Sequence, residues 1–143
     1  NNLLQRAGDL YIRKGLLQQH LEEVKPAYTM KRDTMIKTLE EYAPPGVSWN
    51  RPQGGFYIWA SLPGNLSSMQ LLQEAVKKRV SFVAGPAFHP NGEGANMLRL
   101  NFTYAPAGAV KHGIKTLCVV IKELLERDSR AETVFRKEYI PIV

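Results

Sequence analysis

Two runs of aromatic and apolar residues predict strands, and the first of them follows a glycine turn. Residues 51–63 read RPQGGFYIWASLP, so Gly54 and Gly55 lead the backbone into a run that begins at Phe56. Aromatic and β-branched residues favour strands, whereas glycine and proline mark the turns that bound them. The run is too apolar to sit in water, and we expect this strand to lie in the core.

The second run alternates between apolar and more polar positions. In residues 96–104, NMLRLNFTY, the side chains of Leu98, Leu100 and Phe102 share one face, and Arg99 falls on the other. Successive side chains of a strand point to opposite faces of the sheet. Arg99 is therefore predicted to project from the more polar face of a rigid strand.

Apolar residues recur at helical spacing in the amino-terminal part of the chain. After a short helical lead-in that Gly15 breaks, the pattern runs from Leu17 to Tyr42 and stops before Pro44. Pro26 is expected to kink or restart this helix, because proline donates no amide hydrogen and crowds the preceding turn. A long amphipathic helix pair is therefore predicted to lead into the rest of the chain.

The remaining pattern alternates short strands with helices. Residues 47–50 and 80–84 predict two further strands, and the helix between them, capped by Ser67 or Ser68, is predicted to bury Met69, Leu72 and Val76. A last helix begins near Pro106, and its predicted buried stripe is Val110, Ile114, Leu117, Ile121, Leu124 and Leu125. Residues 128–143 show no convincing period, which leaves a second short helix with an extended end or a disordered terminus.

Together these elements predict an α/β chain of the α+β kind. We expect a two-layer sandwich, in which a small, mostly antiparallel sheet carries helices on one face and is entered by the long amino-terminal helix. Residues 1–45 form the interdomain long-helix region, residues 46–127 the sandwich, and residues 128–143 a tail. A chain of 143 residues, 44% of them hydrophobic, can bury one compact core.

Composition and charge narrow the classes of partner. The net charge of +6 comes from scattered basic residues, and no aromatic residues interleave with their longest run at residues 77–79, so no nucleic-acid partner is expected. No apolar stretch approaches the roughly 18 residues of a membrane span, so no membrane partner is expected. The only cysteine, Cys118, allows no intrachain disulfide and fits a reducing cytoplasm.

Arg99 is the strongest candidate for binding chemistry. Its guanidinium is a planar fork of donors that matches a carboxylate with two parallel hydrogen bonds, and a strand holds that fork in a fixed place. The alternative is an edge-strand arginine that lies in solvent or in a salt bridge. The glycine-rich loop at residues 87–95 favours the binding role, because it supplies a mobile wall beside the arginine.

His89 lies in that loop and is either an acid or base or a loop histidine without a chemical role. The three histidines of the chain have no metal-ligand spacing at short helical distance, so no metal site is predicted. Gly54 and Gly55 lead into a strand, whereas a phosphate cradle needs glycines before a helix. Their expected role is backbone geometry.

Four short sequence motifs follow one another along the chain in an order that is typical of a known family. They are PQGGFYIW at residues 52–59, LP at 62–63, VSFVAGPAF at 80–88 and NMLRLNF at 96–102. This order resembles the C-terminal domain of the class I/II aminotransferases, which are fold type I enzymes dependent on pyridoxal phosphate. The loop FHPNGEG at residues 88–94 is similar to that of the branch containing 2-aminoadipate, kynurenine and aromatic aminotransferases. The resemblance covers residues 16–126.

The resemblance implies a fold, site residues, substrates and a cofactor. In that family the small domain is a sheet covered by helices, and Arg99 matches the arginine that binds the substrate's α-carboxylate. Gly54 and Gly55 match the turn beside the substrate entrance, and His89 sits in the loop that shapes the side-chain pocket. A longer parent protein would use pyridoxal 5'-phosphate to act on amino acid and 2-oxo acid substrates, and it would be a cytoplasmic homodimer.

The chain departs from the family pattern in one respect. Family members attach the cofactor through a lysine of the large domain near a Ser-x-x-Lys pattern, and this sequence contains no such pattern. We therefore expect an excised small domain that supplies a substrate anchor but no catalytic or cofactor-binding residue. The isolated chain is expected to be inactive and to expose apolar surface on its amino-terminal helix.

Two other classes of protein stay open. The parent could be a transcription regulator, in which an aminotransferase-like domain behind a DNA-binding helix-turn-helix senses pyridoxal phosphate as an effector. The chain could also be a freestanding domain that binds dicarboxylates or amino acids alone. We favour the enzyme over the regulator because the loop around His89 and the Arg99 strand are intact, and the sequence upstream of Asn1 would distinguish them.

Overall fold

A computed structural model describes residues 1–64 and 66–138, with side chains described as far as residue 130. The elements in chain order are α1 (Asn2–Arg13), α2 (Leu16–Tyr42), β1 (Ser48–Trp49), β2 (Tyr57–Ser61), α3 (Ser68–Lys77), β3 (Val83–Ala84), a short 3-10 helix (Gly85–Phe88), β4 (Met97–Asn101) and α4 (Ala107–Glu138). The predicted α+β architecture, with a long helix at the amino-terminal end, is confirmed.

The strands form one antiparallel sheet in the order β1-β2-β4-β3. Strand β4 therefore lies between two partners, and Arg99 is opposite Trp59 on β2 and Val83 on β3. The alternative of an edge-strand arginine is wrong, because Arg99 stands on a central strand. The predicted strands at residues 47–50 and 80–84 are present but shortened to two residues each.

Helices cover one face of the sheet. On that face Ile58, Leu98 and Leu100 are buried, and they join buried residues of α2, α3 and α4 in a single hydrophobic core. The predicted stripe of the last helix is confirmed, since Val110, Ile114, Leu117, Ile121 and Leu124 are all buried, with Leu125 packed partly buried against them. Burial of this apolar surface is the main force that holds the helices on the sheet.

The prediction that β2 lies wholly in the core is wrong for one of its two faces. Ile58 and Ala60 are buried, whereas Tyr57 is 37% exposed and Trp59 is half-buried. The reason is that helices cover an antiparallel sheet on one side, so alternate residues face away from the core. The opposite face, which carries Tyr57, Trp59 and Arg99, is the one available for chemistry.

The structure also corrects the predicted apolar face of α3. This helix buries Leu71 and Ala75, four residues apart, whereas Met69 and Val76 are about half exposed. Leu71 and Ala75 belong to the same core as α4, and the small alanine allows the two helices to approach closely. Ser67 is the N-cap, as its side chain accepts a hydrogen bond from the amide of Gln70 at 3.5 Å.

Two further predictions concern the continuity of helices. Helix α2 is continuous through Pro26 and does not restart there. Pro26 and Glu22 are exposed, so water can satisfy the carbonyl that loses its helical partner. Helix α4 continues to Glu138, so residues 128–138 extend it instead of forming a second short helix, and the end of the predicted tail, residues 139–143, lies outside the described residues.

Helix α1 contributes nothing to the core. It buries none of its residues, and Leu3, Leu4 and Leu10 are 76%, 66% and 53% exposed. Gly15, in the left-handed conformation with φ of 71°, separates it from α2 as predicted. Among the helices that the structure describes, none is both long enough and apolar enough to cross a membrane.

Candidate functional site

The guanidinium of Arg99 lies over two aromatic rings. Its Cζ atom is 4.0 Å from the ring centroid of Tyr57 and 4.4 Å from that of Phe88. Tyr57 stands on β2 two residues before Trp59, the cross-strand partner of Arg99, so it shares the same face. Phe88 ends the 3-10 helix that follows β3. Strand β2 and the 3-10 helix after β3 therefore each place a ring against the Arg99 cation.

The side chain of Arg99 donates no hydrogen bond to the described residues. Its Nε atom is buried and has no hydrogen-bond partner, and within the described residues Arg99 forms no ion pair. By contrast, Arg32 bonds to Asp33 and to the Pro52 carbonyl, and Arg51 pairs with Glu40. A buried donor without an acceptor is unfavourable, so the arrangement favours an anionic ligand that supplies one.

A cavity of about 460 Å³ opens beside the guanidinium. Its lining residues come from β2, from β3 and the two residues before it, from β4 and from the turn after β4: Tyr57, Ser81, Phe82, Val83, Arg99, Asn101, Tyr104 and Ala105. The side-chain oxygen of Asn101 accepts hydrogen bonds from the amides of Thr103 and Tyr104, each at 2.9 Å, which shapes the turn. This cavity is large enough for a small carboxylic acid next to Arg99.

Gly54 and Gly55 line a different cavity. That cavity, of about 510 Å³, lies between α2 and the turn before β2, and it does not include Arg99. Gly55 has φ of 78°, which explains the need for glycine, and an added Cβ would meet nothing within 4 Å at either position. The two glycines therefore lie directly before Phe56 in the chain and outside the cavity beside Arg99.

His89 is half-buried and packs within its own loop. A Cβ placed on Gly94 would fall 2.6 Å and 2.7 Å from the imidazole Cδ2 and Nε2 atoms, so the ring lies directly against the Gly94 backbone. His89 is not among the lining residues of the cavity beside Arg99. Its neighbour Phe88 contacts Arg99 instead, which sequence reasoning missed.

No lysine lines the cavity beside Arg99. Lys31 donates to the Thr103 carbonyl at 2.7 Å, and Lys115 lies over the ring of Tyr42. Between residues 1 and 130, leaving aside residue 65, no group of three or more His, Cys, Asp or Glu side chains is placed to hold a metal ion.

Comparisons with known proteins point to one class of enzyme. No family model matches the chain. The chain is 40% identical over 117 residues to aromatic-amino-acid aminotransferase 1 of Thermococcus litoralis, a match that covers 82% of this chain and 28% of that protein.

Two solved structures extend the match to three dimensions. The kynurenine aminotransferase of Pyrococcus horikoshii is 42% identical, with a TM-score of 0.78 over 80% of this chain and 28% of that one. The α-aminoadipate aminotransferase LysN of Thermus thermophilus, complexed with N-(5'-phosphopyridoxyl)-L-leucine, is 33% identical with a TM-score of 0.76, over 82% of this chain and 30% of that one.

The chain therefore carries the small domain of the fold type I, pyridoxal-phosphate-dependent aminotransferases. Within that class it is similar to aminotransferases named for aromatic amino acids, kynurenine and 2-aminoadipate. It spans about 28% of the length of these curated relatives. An uncharacterized helix-turn-helix transcriptional regulator of Bacillus subtilis also matches, at a lower identity of 31% over 87% of this chain and 25% of its own. The regulator alternative is therefore not favoured.

Proposed function

We propose that this chain is the substrate-binding small domain of an enzyme that transfers an amino group between an amino acid and a 2-oxo acid, and that Arg99 binds the α-carboxylate. The observation that carries the proposal is the state of Arg99: a half-buried side chain, on a central strand beside an open cavity, whose donors have no acceptor among the described residues. A carboxylate would form two parallel hydrogen bonds with such a fork.

The contribution of this domain to the reaction is binding and orientation. Fixing the carboxylate at Arg99 fixes the direction of the bonds at Cα, and well-oriented reactants can lower a barrier by several kcal/mol. Pyridoxal 5'-phosphate supplies the electron-withdrawing chemistry in this class of enzyme. Because no lysine lines the cavity beside Arg99, we propose that residues of a longer protein outside this chain bind the cofactor.

The other residues proposed from the resemblance have supporting roles. Gly55 forms the turn that leads to Tyr57, and the Gly54–Gly55 turn would form a wall near the substrate entrance. His89 holds the loop that carries Phe88, and through that loop it would shape the side-chain pocket. We also propose, from the resemblance, that the parent protein is a cytoplasmic homodimer, with residues 46–127 as its sandwich unit.

Substitution of Arg99 in the complete polypeptide that contains this chain tests the proposal. Loss of a charge-assisted pair should cost about 1.5 to 3 kcal/mol, so Arg99→Ala should lower kcat/KM roughly 10- to 100-fold. We would use L-phenylalanine and L-2-aminoadipate as donors, because relatives are named for these substrate types, with 2-oxoglutarate as acceptor.

Arg51→Ala is the matched control. Arg51 forms an exposed ion pair with Glu40, away from Arg99, and such pairs contribute little. Its kcat/KM should stay at the parent value. If Arg99→Ala also remained within about threefold of the parent, where the lost pair should cost more than 1 kcal/mol, Arg99 would not be the carboxylate anchor.

A further inference from the structure

The two rings beside Arg99 contact it in a way that leaves its donors available. The N–H groups of a guanidinium point outward in its plane, whereas Tyr57 and Phe88 meet the group with their ring faces. A ring face carries no charged oxygen that would compete with a carboxylate for those N–H groups. An internal Asp or Glu partner would do so, and the described residues give Arg99 none.

The rings also restrict the arginine side chain before any ligand arrives. A free arginine samples many rotamers, and ordering it on binding reduces affinity. Phe88 is itself held by an edge-to-face contact with Trp59, at 5.2 Å between centroids and 80° between planes. Since Trp59 is the cross-strand partner of Arg99, sheet register and ring packing support the same side-chain position.

We propose that Tyr57 and Phe88 are positioning residues that hold the Arg99 guanidinium in the orientation that receives the substrate carboxylate. This inference rests on the proposed function and adds two residues to it. The rings act through Arg99: they lower the entropy that binding costs, and they exclude water from the part of the cation that they contact, which strengthens its remaining hydrogen bonds.

Ring removal in the complete polypeptide tests the inference. We would measure kcat and KM for Phe88→Leu and Tyr57→Leu, with L-phenylalanine or L-2-aminoadipate as donor and 2-oxoglutarate as acceptor. Loss of a cation–π contact of this kind should raise KM roughly 3- to 10-fold. The value of kcat should stay within about twofold of that of the unsubstituted protein, because the lost interaction stabilises bound substrate and transition state equally.

Conservative variants distinguish the effect of losing the ring from the effect of disturbing the fold. Phe88→Tyr and Tyr57→Phe keep the ring face and should retain the parent KM. Both residues are 37% exposed, so truncation should be tolerated. If a leucine variant does not accumulate, Phe88→Met and Tyr57→Met keep more volume without a ring and should show the same rise in KM.

A matched control removes the same kind of contact elsewhere. Lys115 Nζ lies 4.3 Å from the ring centroid of Tyr42, remote from the cavity beside Arg99. Tyr42→Leu should lower thermal stability and leave KM unchanged. An equal rise in KM for Tyr42→Leu would show that general loosening of the domain, and not positioning of Arg99, explains the ring variants.

A double-mutant cycle with Arg99→Lys shows whether the rings act through the arginine. Lysine has no planar group to orient, so Phe88→Leu should add less than about a twofold rise in KM in that background. A full rise there would show that Phe88 contacts substrate directly and overturns the positioning role. If Arg99→Lys raises KM but the ring variants do not, only the positioning role fails; if Arg99→Lys has no effect, the proposed function fails.

Discussion

At the scale of single residues, the surroundings of Arg99 come from three strands at once. Strand β4 supplies the cation, β2 supplies Tyr57, and the segment after β3 supplies Phe88. The segment that carries Phe88 depends in turn on close backbone packing. A Cβ on Gly85 would fall 2.2 Å from the Gly94 carbonyl oxygen, so the two ends of this loop touch.

Gly94 allows a direct test of that packing. It has φ of 72°, and a Cβ there would collide with His89, whereas Gly92 has nearly the same φ of 74° with nothing within 4 Å of an added Cβ. Both alanine variants pay for the left-handed backbone, about 1 to 2 kcal/mol. We expect Gly94→Ala to lower the melting temperature further than Gly92→Ala. Equal losses would show that His89 moves aside freely.

Cys118 provides a prediction about pH. Burial raises the pKa of its thiol from 9.0 to about 11, so the folded state holds the proton more tightly than the unfolded state. Stability from this group is complete below pH 9.0 and is lost as pH rises towards 11. Between pH 9.0 and about 11, the free energy of unfolding measured in urea should therefore fall less steeply for Cys118→Val than for the unsubstituted chain. In the parent chain, iodoacetamide at pH 8 should label Cys118 much faster in urea than in buffer.

Sequence reasoning reached Arg99 but not its two rings, for a physical reason. Alternation within one strand is a local property, so the face of Arg99 could be read from residues 96–104. The contact with Tyr57 depends on the register between β2 and β4, and the contact with Phe88 depends on a short 3-10 helix, and neither has a local signal. Hydropathy alone predicts that Tyr57 lies in the core with the rest of its aromatic run.

At the scale of elements, the length of each strand and the buried face of each helix depend on what the element packs against. The predicted strands are present, but β1 and β3, the two outer strands of the sheet, have only two residues each. Helix α3 carries apolar residues on two faces, so periodicity alone could not select the buried one. The small side chain of Ala75 allows α3 to pack close to α4. A hydropathy pattern carries no information about side-chain volume, so it could not identify this face.

Pro26 tests the continuity of α2. A proline inside a helix removes one hydrogen bond and costs about 3 kcal/mol relative to alanine. Because α2 is continuous through this exposed position, Pro26→Ala should stabilise the chain by up to that amount and raise helical ellipticity. The control is Pro45→Ala, at an exposed position beyond the end of α2, which should change stability little. Destabilisation by Pro26→Ala would mean that the proline fixes a bend that the fold requires.

At the scale of the whole molecule, apolar surface is distributed unevenly. The sandwich buries its helices against the sheet, whereas α1 and the start of α2 expose a series of large apolar residues: Leu3, Leu4, Leu10, Tyr11, Ile12, Leu16 and Leu17. Leu3, Leu4, Leu10 and Tyr11 recur at helical spacing and share one face. Exposed contiguous apolar surface of this kind usually marks an interface. Together with the 28% share of its relatives that the chain spans, it supports the proposal of an excised domain.

This face predicts the behaviour of the isolated chain. We expect it to bind 8-anilinonaphthalene-1-sulfonate and to self-associate, as measured by fluorescence and by light scattering after gel filtration. The double variant Leu3→Glu with Leu10→Glu should reduce both signals, because two charges interrupt the apolar face. Val76→Glu with Val119→Glu adds the same charge at exposed positions on α3 and α4, and it should leave both signals in place. If the isolated chain without substitutions were monomeric and bound no dye, that result would contradict the excised-domain proposal and favour a freestanding domain.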